Sequence, residues 1–428
     1  MKLYFIIFIS LSMFSCNINE NIAQEDIYDE SFPVLTYDSE ISETLSLDLS
    51  DIYIADSKEL FFWSKSFQNV NNNIGNIKTS STFKKKEKLL NSNGDLINAV
   101  QPVYFNENLC ALDSKGILKC LNTSTNKVFF EVDTKHKNLK KLEIIRGGIA
   151  YFDEKIVLVD AYGHIKLFDV NTQQMIWSNQ IEFSILSAPL IYRNLIYFVS
   201  SDNRVFAINF DTGDVEWSFQ TTFENKKNLT TPSPAAFENL IIVPFSNGEL
   251  IAFKYDDGQP VWSENVSKVS LTSNFDIKDI VANPVVSGSN VFTISTNGKL
   301  ISTNIFNGTT NWSVNISGNR TPVVSGNIVL IIDKNSRVIC LNKIDGEIFW
   351  ITELEKFRKG NKSKDLNQWL GPYLVNGLIY NISYFGELII LSPKTGEILA
   401  YDDIKIKKII TQPIIIHDAI YASDEKLN

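Results

Sequence analysis

Short apolar runs alternate with turn residues over most of the chain, and no long stretch carries an apolar period of 3.6 residues. The pattern repeats. GHIKLFDVNTQQMIW ends at Trp177, NRVFAINFDTGDVEW at Trp217, GELIAFKYDDGQPVW at Trp262, GKLISTNIFNGTTNW at Trp312 and SRVICLNKIDGEIFW at Trp350. GILKCLNTSTNKVFF, ending at Phe130, and GELIILSPKTGEILA, ending at Ala400, are degenerate copies. A turn residue stands fourteen before the terminal position in all seven copies: Gly116, Gly163, Asn203, Gly248, Gly298, Ser336 and Gly386. Ten after it comes a second turn, at Asn126, Gln173, Gly213, Gly258, Gly308, Gly346 and Gly396.

Each unit translates into strands. An apolar strand such as LIYFVS (195–200) precedes the first turn, where Gly or Asn supplies the positive φ of a tight hairpin. An alternating strand such as VFAI follows, then the second turn and a strand ending in Trp. A further strand opens many units near a proline: Pro189, Pro234, Pro284, Pro322, Pro372 and Pro413. Four antiparallel strands per roughly 40 to 50 residues make a propeller blade, with the Trp packed between neighbouring blades. Seven units are complete, and an eighth begins at Pro413 and stops at its first turn. Residues 77–83 have strand character and no unit of their own, so they are expected to pair with the C-terminal strands. The expected fold is all-β: an eight-bladed β-propeller of four-stranded antiparallel blades, the last blade closed by both chain ends.

The start of the chain reads as an address. MKLYFIIFISLSMFSC has a positive Lys2 and an apolar stretch too short to span a bilayer, ending in Ser15-Cys16. It resembles a lipobox, which implies cleavage before Cys16 and acylation there. No Lys or Arg occurs between Lys2 and Lys58, and the segment after Cys16 is rich in Asp and Glu. The expected organisation is a lipoprotein signal peptide over 1–15, an acidic flexible tether over 16–50 and a propeller over 51–428.

Composition narrows the chemistry. The 428 residues carry 40 Lys+Arg against 49 Asp+Glu, a net charge of -9, which disfavours nucleic-acid binding. No nucleotide-binding, hydrolase or zinc-protease motif occurs. His136, His164 and His417 lack metal-ligand spacing, and His164, one past a turn, is expected to face solvent. Asp256-Asp257-Gly258 is turn chemistry rather than a calcium loop. No catalytic, cofactor or metal residue is assigned. Cys120 and Cys340 occupy a slot that is often small in the repeat, four after the first turn residue, and Cys110 also falls at a buried position. Cys110 and Cys120 are expected as diagonally offset cross-strand neighbours, either core fillers or a disulfide.

Two connections are long, 267–282 and 353–371. The second gathers Lys356, Arg358, Lys359, Lys362 and Lys364 and ends in Trp369, outside the repeat register. It is either a solvated loop with Trp369 packed under a strand start or a protein-docking loop with an aromatic anchor.

Cys16 behind its apolar stretch, the TGDVEW-type repeats, DIVANPVV (279–286), IIDKNSRVICLNKIDGEIFW (331–350) and WLGPYLVNGLIY (369–380) together resemble the BamB family. FFWSKSFQNVNNNIGN (61–76) is similar to the leading segment of its alphaproteobacterial members. These are propeller lipoproteins of the outer-membrane β-barrel assembly machinery. The resemblance implies an eight-bladed propeller tethered by lipid alone to the outer membrane, on the periplasmic face. It implies binding to the periplasmic domains of the barrel-assembly protein, help in delivering unfolded outer-membrane protein strands, and no catalytic residues. The alternatives are a periplasmic ligand- or protein-binding propeller outside that complex, or a dehydrogenase using pyrroloquinoline quinone and calcium. Such enzymes typically carry a vicinal Cys-Cys pair, and none occurs here.

Overall fold

A computed structural model of the chain describes residues 41–44, 48–80, 100–112, 116–134, 147–222, 232–266, 280–296, 298–356, 366–406 and 408–424. Strands dominate, and a single 3-10 turn, Leu49–Asp51, is the only helical element among the described residues. The strands form eight sheets there. Seven contain a four-stranded antiparallel unit in the repeat register: blade 1 (103–133), blade 2 (147–180), blade 3 (190–220), blade 4 (235–265), blade 5 (285–314), blade 6 (323–353) and blade 7 (369–403). Blade 3 is representative, with strands Leu190–Tyr192, Leu195–Val199, Arg204–Asn209 and Val215–Gln220 in sequential order. The first strands line the axis of the propeller.

The turns obey the expected geometry except at Gly298, whose φ is not in the positive range. φ is positive at Gly116, Gly163, Asn203, Gly248, Ser336 and Gly386, and at all seven second-turn residues. Proline ends the approach to the first strand in blades 3 to 6, whereas Pro372 lies inside the longer first strand of blade 7, Trp369–Val375. In every blade the pairing of third and outer strands shifts register just after the small slot, as at Ala207/Ile208 and Ala252/Phe253. Such a bulge adds twist, which helps a flat ladder become a blade.

The tryptophans are locks between blades. The indole N–H of Trp177 donates to the Phe210 carbonyl of the next blade, Trp217 to Tyr255, Trp262 to Ile305, Trp312 to Lys343 and Trp350 to Pro393, at 2.7 to 3.0 Å. Each accepting carbonyl lies three residues before the second-turn glycine of its blade. That glycine faces the incoming ring: a Cβ on Gly258 would stand 2.4 Å from Trp217. The second turn is glycine only where the preceding blade ends in Trp. Gln173 follows Phe130, and Asn126 follows the C-terminal sheet, which supplies no Trp.

Chain ends depart from the expectation. The C-terminal sheet is a hairpin, Ile414–Ile416 with Ala419–Tyr421. Ile77 does not pair with it. Asn76–Lys78 instead joins blade 7, with Asn76 and Ile77 parallel to Leu374 and Val375. Residues 81–83 lie outside the described residues. Lys58–Glu59 adds beyond Asn76–Lys78, and Phe62–Trp63 adds to blade 1. Residues 41, 43 and 44, inside the expected tether, touch the propeller. Thr44 N–H donates to Ile348 O on the outer strand of blade 6, Glu43 accepts from Ile351 N–H, and Ile41 packs on the adjacent core. The signal segment and Cys16 lie outside the described residues.

Cys110 and Cys120 are directly opposed rather than diagonal, and they form a disulfide. The hairpin pairs Leu112 with Leu118, a register that brings the two cysteines face to face. Cys340 is a buried free thiol, and burial pushes its pKa up.

Candidate functional site

The axis is filled by the chain itself. Residues 62–77 run round the bore and bond to the first strands of six blades in turn. Phe62 and Trp63 pair with Phe105 and Tyr104 of blade 1. Ser64 O accepts from Tyr151 N–H of blade 2 at 2.7 Å, and Val70 O from Ala236 N–H of blade 4 at 2.8 Å. Asn71 O accepts from Val286 N–H of blade 5 at 2.9 Å, and Asn73 Oδ1 from Val324 N–H of blade 6 at 3.3 Å. Asn76 and Ile77 pair with blade 7. First strands are edges, and an edge buried at an axis needs partners for its peptide groups. The asparagines serve because one side chain both donates and accepts, and because Asn72 can hold a φ of 55°.

Asn72 is the hub of this plug. It is fully buried, and its Nδ2 donates to the carbonyls of Ser233, Pro234 and Pro284. Its Oδ1 accepts from Lys65 Nζ at 2.5 Å. The same ammonium donates to Ser66 O at 2.9 Å and Asn69 O at 3.3 Å, so its three donors meet three neutral oxygens. Burial pulls the Lys65 pKa down to about 7.

Above the plug a cavity of about 240 Å³ opens on the face that carries the blade-to-blade connections. Ser66 and Phe67 contribute to its floor, and Gln101, Ser233, Asn283 and Gln412 to its polar wall. No charged side chain lines it. The Ser233 hydroxyl is buried without a hydrogen-bond partner among the described residues. Such a pocket suits an uncharged, amide-like group rather than an ion.

The basic connection 353–371 joins blade 6 to blade 7, and 354–356 and 366–368 are its described ends. Lys356 is exposed, and its carbonyl accepts from Asn367 N–H. Arg358, Lys359, Lys362 and Lys364 lie outside the described residues. Trp369 differs from the anchor reading: it is buried in the core between blades 6 and 7, and its indole N–H donates to Glu355 O at 3.0 Å. It holds the loop's base instead of presenting a surface. His164 is buried, not solvent-facing, because Asp160 accepts from its backbone N–H and lies 3.0 Å from Nδ1. His417 lies near Glu59, and His136 is outside the described residues. Among the described residues no group of three or more His, Cys, Asp or Glu could hold a metal ion. The plug has no repeat register of its own. Its one signal was the asparagine-rich 69–76 ahead of the first repeat.

Repeated four-stranded blades, indole locks and a filled axis define a β-propeller of PQQ-like repeats. A family model described as outer membrane protein assembly factor BamB matches residues 114–352, and the chain belongs to that family. The assembly factor BamB of Yersinia pestis is 21% identical over 232 residues, 51% of this chain and 57% of the relative. The chain thus matches a little over half the length of such curated relatives. The crystal structure of BamB from Moraxella catarrhalis superposes with a TM-score of 0.68 at 18% identity, over 81% of this chain and 98% of that one. A quinohemoprotein alcohol dehydrogenase from Comamonas testosteroni gives 0.63 at 11%, over 87% and 78%. Both likenesses concern the fold alone.

Proposed function

We propose that the protein is a non-catalytic scaffold lipoprotein of outer-membrane β-barrel assembly. In this reading it is acylated at Cys16, held on the periplasmic face of the outer membrane, and bound to the periplasmic domains of the barrel-assembly protein. It aids delivery of unfolded outer-membrane protein strands. The observation that carries the reading, beside family membership, is the filled axis: the chain spends its bore on its own residues, leaving the faces and loops for partners. The face with the shallow cavity and the basic loop of Lys356, Arg358, Lys359, Lys362 and Lys364 is the docking side. The Cys110–Cys120 disulfide fits an oxidising compartment.

In this reading the C-terminal hairpin serves as a two-stranded eighth unit, met by N-terminal residues at its turn rather than paired with them. Ser80 N–H donates to Asp418 Oδ1 at 3.2 Å, and Glu59 lies 3.5 Å from His417 Nδ1, so N-terminal residues meet the hairpin turn.

Capture of the barrel-assembly protein by tagged full-length chain tests the reading. Wild type should capture it, and changing the five basic residues to Glu should slow association, mainly at low salt. No capture by wild type overturns the scaffold role, and salt-independent, unchanged association overturns the loop's part. Cys16→Ala should lose the acyl mass. Alcohol oxidation on adding calcium and pyrroloquinoline quinone would overturn the non-catalytic assignment.

A further inference from the structure

In each blade, three residues form a row across the second, third and outer strands. The row is Tyr197, Ala207 and Trp217 in blade 3, and Ile242, Ala252 and Trp262 in blade 4. In blade 1 it is Cys110, Cys120 and Phe130. Phe130 has no ring N–H to donate and meets Phe168 of blade 2 edge-on, with centroids 6.3 Å apart. Blade 1 also receives no indole from the C-terminal hairpin. Among the seven four-stranded blades it is therefore the one with no indole hydrogen bond to a neighbouring blade on either side, although Trp63 shares a core with its Tyr104, Leu109 and Leu121, and it carries the disulfide.

Blade 6 is the internal control. Its row is Leu330, Cys340 and Trp350. There a cysteine occupies the same slot as Cys120, but the tryptophan is kept and the thiol stays free.

We propose that the Cys110–Cys120 disulfide is an installed modification that replaces the missing tryptophan lock of blade 1, and that a thiol–disulfide oxidant makes it before blades 1 and 2 pack together. The order follows from access. Both cysteines are fully buried in the core shared with Ile149, Leu158 and Phe168 of blade 2, so no oxidant reaches either sulfur once that core has formed. The chemistry is exchange. One cysteine thiolate attacks a sulfur of the oxidant's disulfide, forming a mixed disulfide and releasing one oxidant thiolate. The second cysteine thiolate then attacks the bonded cysteine sulfur, and the oxidant leaves as a dithiol. The chain gives up two electrons and two protons, and the oxidant takes them. The step needs that thiol–disulfide oxidant, which an oxidising compartment supplies.

Three measurements test this. Full-length protein denatured in iodoacetamide without reductant should be alkylated at Cys340 and not at Cys110 or Cys120. Alkylation of either of those overturns the modification. Folded protein in dithiothreitol should keep the bond until it is unfolded, and rapid reduction with blade 1 still folded overturns the order of events. Cys110→Val with Cys120→Ala should raise amide exchange in blade 1 at least about tenfold and leave blades 3 to 5 unchanged. Adding Phe130→Trp and Gln173→Gly, which rebuilds the indole lock, should restore protection. Unchanged exchange in the cysteine variant, or no recovery on rebuilding the lock, overturns the replacement.

Discussion

Blades 3 to 5 and the arc formed by blade 7, the C-terminal hairpin and blade 1 grow from one repeat but are held by different means. In the first group each outer strand buries a tryptophan against the next blade. In the second the slot holds Ala400 or Phe130, and the outer strand Ile398–Asp403 is exposed along its whole length. The N-terminal strands go where those locks are absent: two join blade 7 and one joins blade 1. A propeller therefore tolerates loss of its repeat signature at the place where strands from elsewhere in the chain can supply the missing contacts.

The comparison breaks most sharply at a lock. Trp217→Ala should cost about 3 to 5 kcal/mol in denaturant unfolding, the range for emptying a large aromatic site in a core. Blades 3 and 4 should then exchange their amides as readily as the closing arc. A cost below about 1 kcal/mol would mean that the indoles do not set the difference.

Gly258→Ala tests the receiving side. The added methyl meets the Trp217 ring at a φ of +69°, so a loss of about 2 kcal/mol is expected by the same assay. Gln173→Ala, opposite Phe130, gives up only a side-chain bond to Phe129 O and should cost less than about 1 kcal/mol. Equal losses would detach the glycine from the indole.

The plug offers a test through pH. With the Lys65 pKa near 7 in the folded chain and about 10.4 in the unfolded one, the unfolded chain holds the extra proton between those values. Stability should therefore rise with pH across that window, by at most about 1.4 kcal/mol per pH unit, and the penalty of the buried charge is full below it. Lys65→Met should flatten the rise. Matching pH profiles for the two proteins would show that the three oxygens hold the proton on.

Blade phase was legible because it is local: turn residues ten apart and a terminal Trp write the hairpins directly into the sequence. The buried slot at Cys120, Ala207, Ala252 and Cys340 was legible for the same reason. Trp369 looked out of register because the first strand of blade 7 has seven residues where blades 3 to 6 use three. The role of His164 depended on Asp160, four residues back across a turn, whose carboxylate draws the ring inward. The plug was the least legible part. Asparagine runs have no apolar period, and their partners are peptide groups whose identity leaves no mark in sequence.

The plug also opposes the order of synthesis to the order of assembly. It precedes every blade in the chain, yet Asn72 bonds to a carbonyl 161 residues downstream and Asn76 to an amide 301 residues downstream. An open solenoid can grow by adding one repeat to the last. This molecule cannot finish that way, because its axle emerges before the wheel and its end stays unpaired until the seventh blade exists. Contacts of such separation form slowly, since the chain must lose its loop entropy before they contribute. The completed ring is thus a late, cooperative event, and a chain cut before blade 7 keeps an axle with nothing to hold its last two residues.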